Sequence, residues 1–113
     1  MQIKHVTSGD VAVLHLQGKI MGGPDATSLH EKLHELIETG TRSVVIDLRD
    51  VDWMNSSGLG ILIGGLSAIR KSGGDLRLAS VTEKIEEVLR ITKLDRVFDV
   101  FGSTEEAVTS YGS

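Results

Sequence analysis

The sequence predicts a single α/β domain, a mixed sheet with helices packed against it. Three observations carry this. The chain has 113 residues, which suits one domain with one core. Hydrophobic residues make up 40% and charged residues 25%, the balance of a globular chain rather than a disordered one. Strand-like runs then alternate along the chain with helix-like stretches, the pattern of strands covered by helices.

The elements follow in order. Residues 11–16 (VAVLHL) read as a strand and residues 3–6 as a shorter one. Ser8-Gly9-Asp10 between them is a turn signal, so the pair forms a hairpin. Residues 18–25 are a loop with Gly22, Gly23 and the only proline, Pro24. Proline suits the first turn of a helix, where its missing N–H costs nothing. That helix runs to about Thr39, with Ala26, Leu29, Leu33, Leu36 and Ile37 as its buried stripe, and Gly40 ends it. Residues 43–48 (SVVIDL) are nearly continuous in apolar side chains, as in a central strand covered on both faces. A second helix begins near Ser57 and ends before Gly73-Gly74. Residues 76–79 form another strand. Ser80 with Glu83 makes a capping box for a third helix over residues 81–92. Residues 97–101 are a short edge strand, and Ser103 with Glu106 caps a last short helix.

The second helix carries more than its place in the order. At about 100° per residue, Leu59, Leu62, Ile63, Leu66 and Ile69 share one side, the core side. The opposite side holds Ile61, Gly64, Gly65, Ala68 and Ser72, small and apolar where an exposed helix usually carries Lys and Glu. Gly64-Gly65 also costs about 1 kcal/mol per glycine against alanine. Two readings fit: close packing against a neighbouring element, or a docking surface continuous with Ser56 and Ser57.

Composition excludes several partners. Twelve basic against sixteen acidic residues give a net charge of −4, with no basic excess to bind a nucleic-acid backbone. The aromatics, Trp53, Phe98, Phe101 and Tyr111, are too scattered for a base-stacking platform. The chain contains no cysteine, which removes disulfides and thiolate metal sites. The first residues lack the apolar core of a signal peptide, and the most apolar stretch, residues 58–69, is too short to span a bilayer. The expectation is a cytoplasmic protein without membrane insertion.

Each chemistry-bearing motif also has a simpler structural role. His30-Glu31-Lys32-Leu33-His34 matches the zinc-peptidase pattern H-E-x-x-H, yet both histidines fall off the centre of the aliphatic stripe and read as a solvated helix face. His5 and His15, on strands, offer no evident third ligand, so no metal is expected. Ser56 and Ser57 lack the G-x-S-x-G elbow, and all the histidines precede residue 35; a hydrolase is not expected, and neither is any enzyme. Gly58, Gly60 and Gly64 fall inside the helix rather than in a turn before it, so they make no nucleotide cradle, and no cofactor is expected. Two roles remain for the serines. One is an N-cap, the commonest job of serine at a strand-to-helix junction. The other is acceptance of a phosphate, whose charge the helix amides and dipole stabilise.

The stretch SVVIDLRDVDWMNSSGLGILIGG (residues 43–65) resembles the signature of the STAS domain family, specifically the anti-sigma factor antagonists. GGDLRLASV (residues 73–81) is similar to the family's next strand, and VLRITKLDRVFDVFGSTEEAV (residues 88–108) to its closing helix, edge strand and terminal helix. The resemblance covers essentially the whole chain, residues 1–113. It implies a mixed sheet of four to five strands with helices mainly on one side. It also implies partner switching: an unphosphorylated antagonist binds an anti-sigma factor that is an ATP-dependent serine kinase, phosphorylation releases it, and a PP2C-type phosphatase reverses the modification. The phosphoacceptor carried over is Ser56. Ser57 is the neighbour that would help cap the helix, and Gly58 with Leu59 completes the motif. The partner surface is then Ile61, Gly64, Gly65 and Ala68, with Met21 and Gly22 adjoining. The alternative within the family is an unphosphorylated regulatory or binding module of a transport or signalling assembly.

Three positions depart from the family pattern. Asn55 stands where aspartate is common; its amide still offers a hydrogen-bonding oxygen but no charge. Met21 occupies a place that is often acidic, with Asp25 the nearest carboxylate. Lys93 replaces a common glycine, which reads as a surface substitution.

Overall fold

The computed structural model describes residues 1–112. Strands β1 (Gln2–Ser8) and β2 (Val11–Ile20) form the antiparallel hairpin, turning at Gly9 with φ 61°. Strands β3 (Ser43–Met54), β4 (Asp75–Ala79) and β5 (Val100–Phe101) join in parallel, so the sheet is mixed and its spatial order is β1-β2-β3-β4-β5. Between them run α1 (Pro24–Glu38), α2 (Ser56–Lys71) and α3 (Glu83–Ile91), and α4 (Thr104–Gly112) follows β5. This is the mixed α/β sheet expected.

Strand periodicity divides the core. Ala12, Leu14 and Leu16 of β2 and Val44, Ile46 and Leu48 of β3 face α1, α2 and α3, and meet Leu29, Leu33, Leu62, Leu66, Ile69, Ile85 and Leu89. The alternate residues Val11, Val13 and Val45 face the other way, with Ala79, and pack on Ala107 of α4 with Phe101, Val108 and Tyr111 against them. A strand buried on both faces needs apolar residues at nearly every position, which is why residues 43–48 show no alternation. Three helices cover one face and one short helix the other.

Beyond Leu48 the chain changes its rule. β3 continues six residues past the predicted end, and β2 extends to Ile20. The register advances from His15↔Asp47 to Gln17↔Asp50, and again from Gly18↔Val51 to Lys19↔Trp53. Each shift puts one extra residue into β3, as a β-bulge does. Two such bulges convert the burial period from two to three. Leu48, Val51 and Met54 are buried, while the pairs Arg49-Asp50 and Asp52-Trp53 are exposed. Alternation is lost at the first bulge, so the strand could not be followed further from its pattern alone.

Four local expectations are corrected. The third helix is capped by Thr82, whose hydroxyl accepts the Ile85 amide at 3.4 Å, and not by Ser80; Ser80 sits at φ 55° in the chain entering the helix. Ile63 is 38% exposed rather than core, because the buried stripe of α2 is completed by Gly58 and Gly65. Of residues 97–101 only Val100–Phe101 is strand, since Leu94–Arg96 winds into a 3-10 turn and buries Phe98 behind it. Lys93 is not a simple surface substitution: it adopts φ 63°, ψ 18° just after α3, the left-handed position where glycine is unstrained. The Ser103 cap is present, its hydroxyl accepting the Glu106 amide at 3.1 Å.

Candidate functional site

The carboxyl ends of β2 and β3 lie side by side, where open α/β sheets commonly place their sites. From the end of β2 the chain enters the loop Met21-Gly22-Gly23; from the end of β3 it enters α2 through Asn55. Asn55 is in an extended conformation (φ −99°, ψ −177°), and its side-chain oxygen accepts the Gly58 amide at 2.8 Å. Its Nδ2 donates to the Met21 carbonyl at 3.5 Å and its backbone N–H to the Ile20 carbonyl at 3.4 Å. One residue therefore caps α2 and ties the two strand ends together. The cap is an asparagine, not a serine, so the assignment of Ser57 to capping is corrected. The helix starts at Ser56, one residue before the expected place.

Two glycines set the spacing. A Cβ on Gly58 would lie 2.1 Å from the Ile20 carbonyl oxygen and 2.9 Å from Met54 Cγ. Only a glycine lets the first turn of α2 rest directly on the end of β2. Gly22, at φ 95°, passes so close to Ser57 that its Cβ would be 2.9 Å from the Ser57 Cβ. The Met21 amide donates to Asp25 Oδ2 at 3.1 Å, which fixes the start of that loop. Met21, Gly22, Asn55, Ser56, Ser57 and Gly58 are thus brought into one place. Ser56 and Ser57 are exposed, Asn55 and Gly22 half-buried, and Gly58 buried.

This geometry offers two hydroxyls in the first turn of a sixteen-residue helix, with no acidic side chain in that turn and Arg70 and Lys71 in the last. The free amides and the positive end of the dipole favour an added anion at this end. The hydroxyls are not used as caps and face solvent. Each can accept a phosphate without giving up a structural bond to the cap.

The face of α2 divides. Gly65 is buried, and a Cβ there would lie 2.7 Å from Leu33 Cδ1. It serves close packing between α1 and α2, and it also lines the groove between them. Gly64 is exposed with open space above it, and Ile61 and Ala68 are half-buried. Gly60, Ile61 and Gly64 line an open groove of 550 Å³ whose other wall is Ala26, His30 and Glu31 of α1. This face therefore combines close packing at Gly65 with open space above Gly64.

The other motifs have ordinary settings. His30 and His34 are exposed, stacked with ring centroids 6.4 Å apart, and His34 Nε2 meets Glu38 Oε1 at 3.1 Å. Among the described residues no group of three or more His, Cys, Asp or Glu side chains is placed to hold a metal. Nor is any helix among them long and apolar enough to cross a membrane. Sequence reasoning missed Trp53, which the second bulge leaves 43% exposed beside the site. It also missed His15, whose Nδ1 lies 2.5 Å from Oδ2 of the buried Asp47. A polar residue within the SVVIDL run was the available signal for that pair.

Comparison with known proteins agrees with this architecture. The family model described as STAS domain matches residues 2–107. The anti-sigma-B factor antagonist of Bacillus subtilis (strain 168) is 35% identical over 96 residues, covering 82% of this chain and 87% of the relative. An anti-sigma-factor antagonist (STAS) domain protein from Planctomyces limnophilus superposes with a TM-score of 0.82 at 23% identity, covering 98% of each chain. The Bacillus cell fate determinant SpoIIAA in its phosphorylated form gives 0.75 at 17% identity, covering 98% of this chain and all of that one. The two structures share the fold of this chain. The chain belongs to the STAS domain family.

Proposed function

We propose that this chain is an anti-sigma factor antagonist that works by partner switching. Unphosphorylated, it binds an anti-sigma factor that is a serine kinase, through Ser56, Met21, Gly22 and the exposed part of α2 at Ile61, Gly64 and Ala68. The observation that carries this reading is the division of labour at the start of α2. Asn55 holds the cap, and Ser56 stands exposed on the helix end with no structural duty in that cap. The names of the relatives and the SpoIIAA structure support it.

The switch follows from charge. The kinase transfers the γ-phosphoryl group of its ATP to Ser56 Oγ: the Oγ–P bond forms, the bond to the bridging oxygen of ADP breaks, and the hydroxyl proton passes to a base of the kinase. The product adds about −1.5 to −2 charges at neutral pH. It lies at the exposed start of α2, next to Ser57, which Gly22 approaches, where a docked partner would have to desolvate it. Binding is lost without refolding. A PP2C-type phosphatase restores the hydroxyl by hydrolysis. In this scheme the chain is a substrate and a ligand, not an enzyme, and it acts in the cytoplasm.

The test is to incubate the chain with ATP and the anti-sigma factor kinases of its own genome, then map the product by mass spectrometry. Phosphate on Ser56 and none in the Ser56→Ala variant supports the reading. Tight binding to such a kinase without modification of Ser56 would favour the unphosphorylated regulatory module instead.

A further inference from the structure

The second bulge of β3 has an effect beyond register. By inserting Asp52 it turns Trp53, the only tryptophan in the chain, out to solvent next to Asn55. An alternating strand would have kept one of these two residues inside. Bulges beside functional sites often re-aim a side chain in this way. Met21, at the end of β2, is 46% exposed. Trp53 and Met21 line a shallow hollow of 350 Å³ together with Lys19, Asp52 and Lys84.

Two further features concern the lysines. Lys84 is the second residue of α3, in a first turn otherwise acidic at Glu83 and Glu86. A cation there opposes the helix dipole, so helix stability does not account for it. Its Nζ instead lies 5.6 Å from the Trp53 ring centroid, within the range of a cation–π contact. Lys19 pairs in register with Trp53 on the adjoining strand. In a chain of net charge −4, this hollow holds two lysines against one carboxylate.

We infer that the Trp53–Met21 hollow is a second docking element, and that it takes an acidic segment of the partner kinase: a carboxylate seated between Lys19 and Lys84, flanked by an apolar side chain on Trp53. This rests on the proposed partner switching and specifies which partner chemistry is selected. The hollow adjoins Met21 and Asn55 at the switch, so one partner can cover both. Large aromatic side chains at the centre of such contacts commonly dominate the binding energy, and cationic neighbours select the partner by charge.

The experiment measures binding by calorimetry of the full chain to each purified anti-sigma factor kinase of the same genome, at low and high salt. It compares wild type with Trp53→Ala, Trp53→Phe and the double variant Lys19→Glu/Lys84→Glu. All three positions are solvent-facing, and circular dichroism confirms folding. Trp53→Ala and the charge reversal each weaken binding about tenfold or more, Trp53→Phe restores most of the loss, and the charge reversal flattens the salt dependence. Docking also shifts and quenches the fluorescence of the single tryptophan. If a kinase binds wild type and every variant within twofold, the hollow is not a docking element, while partner switching stands. If no kinase binds wild type or modifies Ser56, both readings fall together.

Discussion

The first turn of α2 rests on the carbonyl of Ile20 at Gly58, where any Cβ would lie 2.1 Å from that oxygen. The obstacle is backbone, so it cannot rotate aside. Gly58→Ala must lift the helix end off β2 and will cost about 1–3 kcal/mol or more. Urea denaturation reads this directly, and an unchanged midpoint would mean the contact yields.

Asn55 joins that helix end to both strands. Asn55→Ala removes the acceptor for the Gly58 amide and the donor to Met21, at a cost of about 1 kcal/mol. Asn55→Asp keeps the acceptor and adds a charge that the helix end favours, but it loses the donor to Met21, so at neutral pH it loses less stability than Asn55→Ala. Equal losses in the two variants would show that the cap is not what holds this turn.

Ser56 and Ser57 are exposed and do not serve the cap. Ser56→Ala and Ser57→Ala will each change stability by less than about 0.5 kcal/mol. Ser56→Asp will fold equally well yet bind the partner kinase at least about tenfold more weakly, through charge at the interface. Calorimetry of the three variants separates a switch residue from a structural one.

Lys93 occupies a left-handed conformation after α3, its amide donating to the Arg90 carbonyl at 3.1 Å. Lys93→Gly relieves the steric strain of that position and will stabilise the chain by about 1 kcal/mol. A drop in melting temperature would contradict this.

Tyr111 clamps α4 to the sheet. Its hydroxyl donates to the Val44 carbonyl at 2.7 Å, and the Arg77 guanidinium carbon lies 3.9 Å from its ring centroid. Burial, reinforced by the negative charge of Asp75, pushes the phenol above its ordinary range. The unfolded chain then ionises first as pH rises. The stabilisation is complete below about pH 10, where a free tyrosine titrates, and is lost progressively above it. Tyr111→Phe will lose about 1 kcal/mol at neutral pH and will show a flatter decline above pH 10. Denaturation at several alkaline pH values tests both parts.

Much of the fold was legible because burial imposes periodicity. The hairpin, the doubly covered strand and the order of helices follow from apolar spacing and turn residues. The end of β3 was not, because two bulges replace the period of two with a period of three at Leu48, Val51 and Met54. The same event exposes Trp53. The Thr82 cap displaced the Ser80–Glu83 box because Ser80 adopts a positive φ in the chain entering α3.

The site divides in the same way. By itself the sequence determined that a hydroxyl pair sits between a buried strand and a helix with a small, apolar back, since residue types and spacing suffice for that. Which residue caps the helix was decided by tertiary structure: Asn55 alone reaches the Gly58 amide and the Met21 carbonyl together. So was the split between Gly64, with open space above it, and Gly65, packed against Leu33. Adjacent residues of one helix point about 100° apart, and only the position of α1 says which direction is filled.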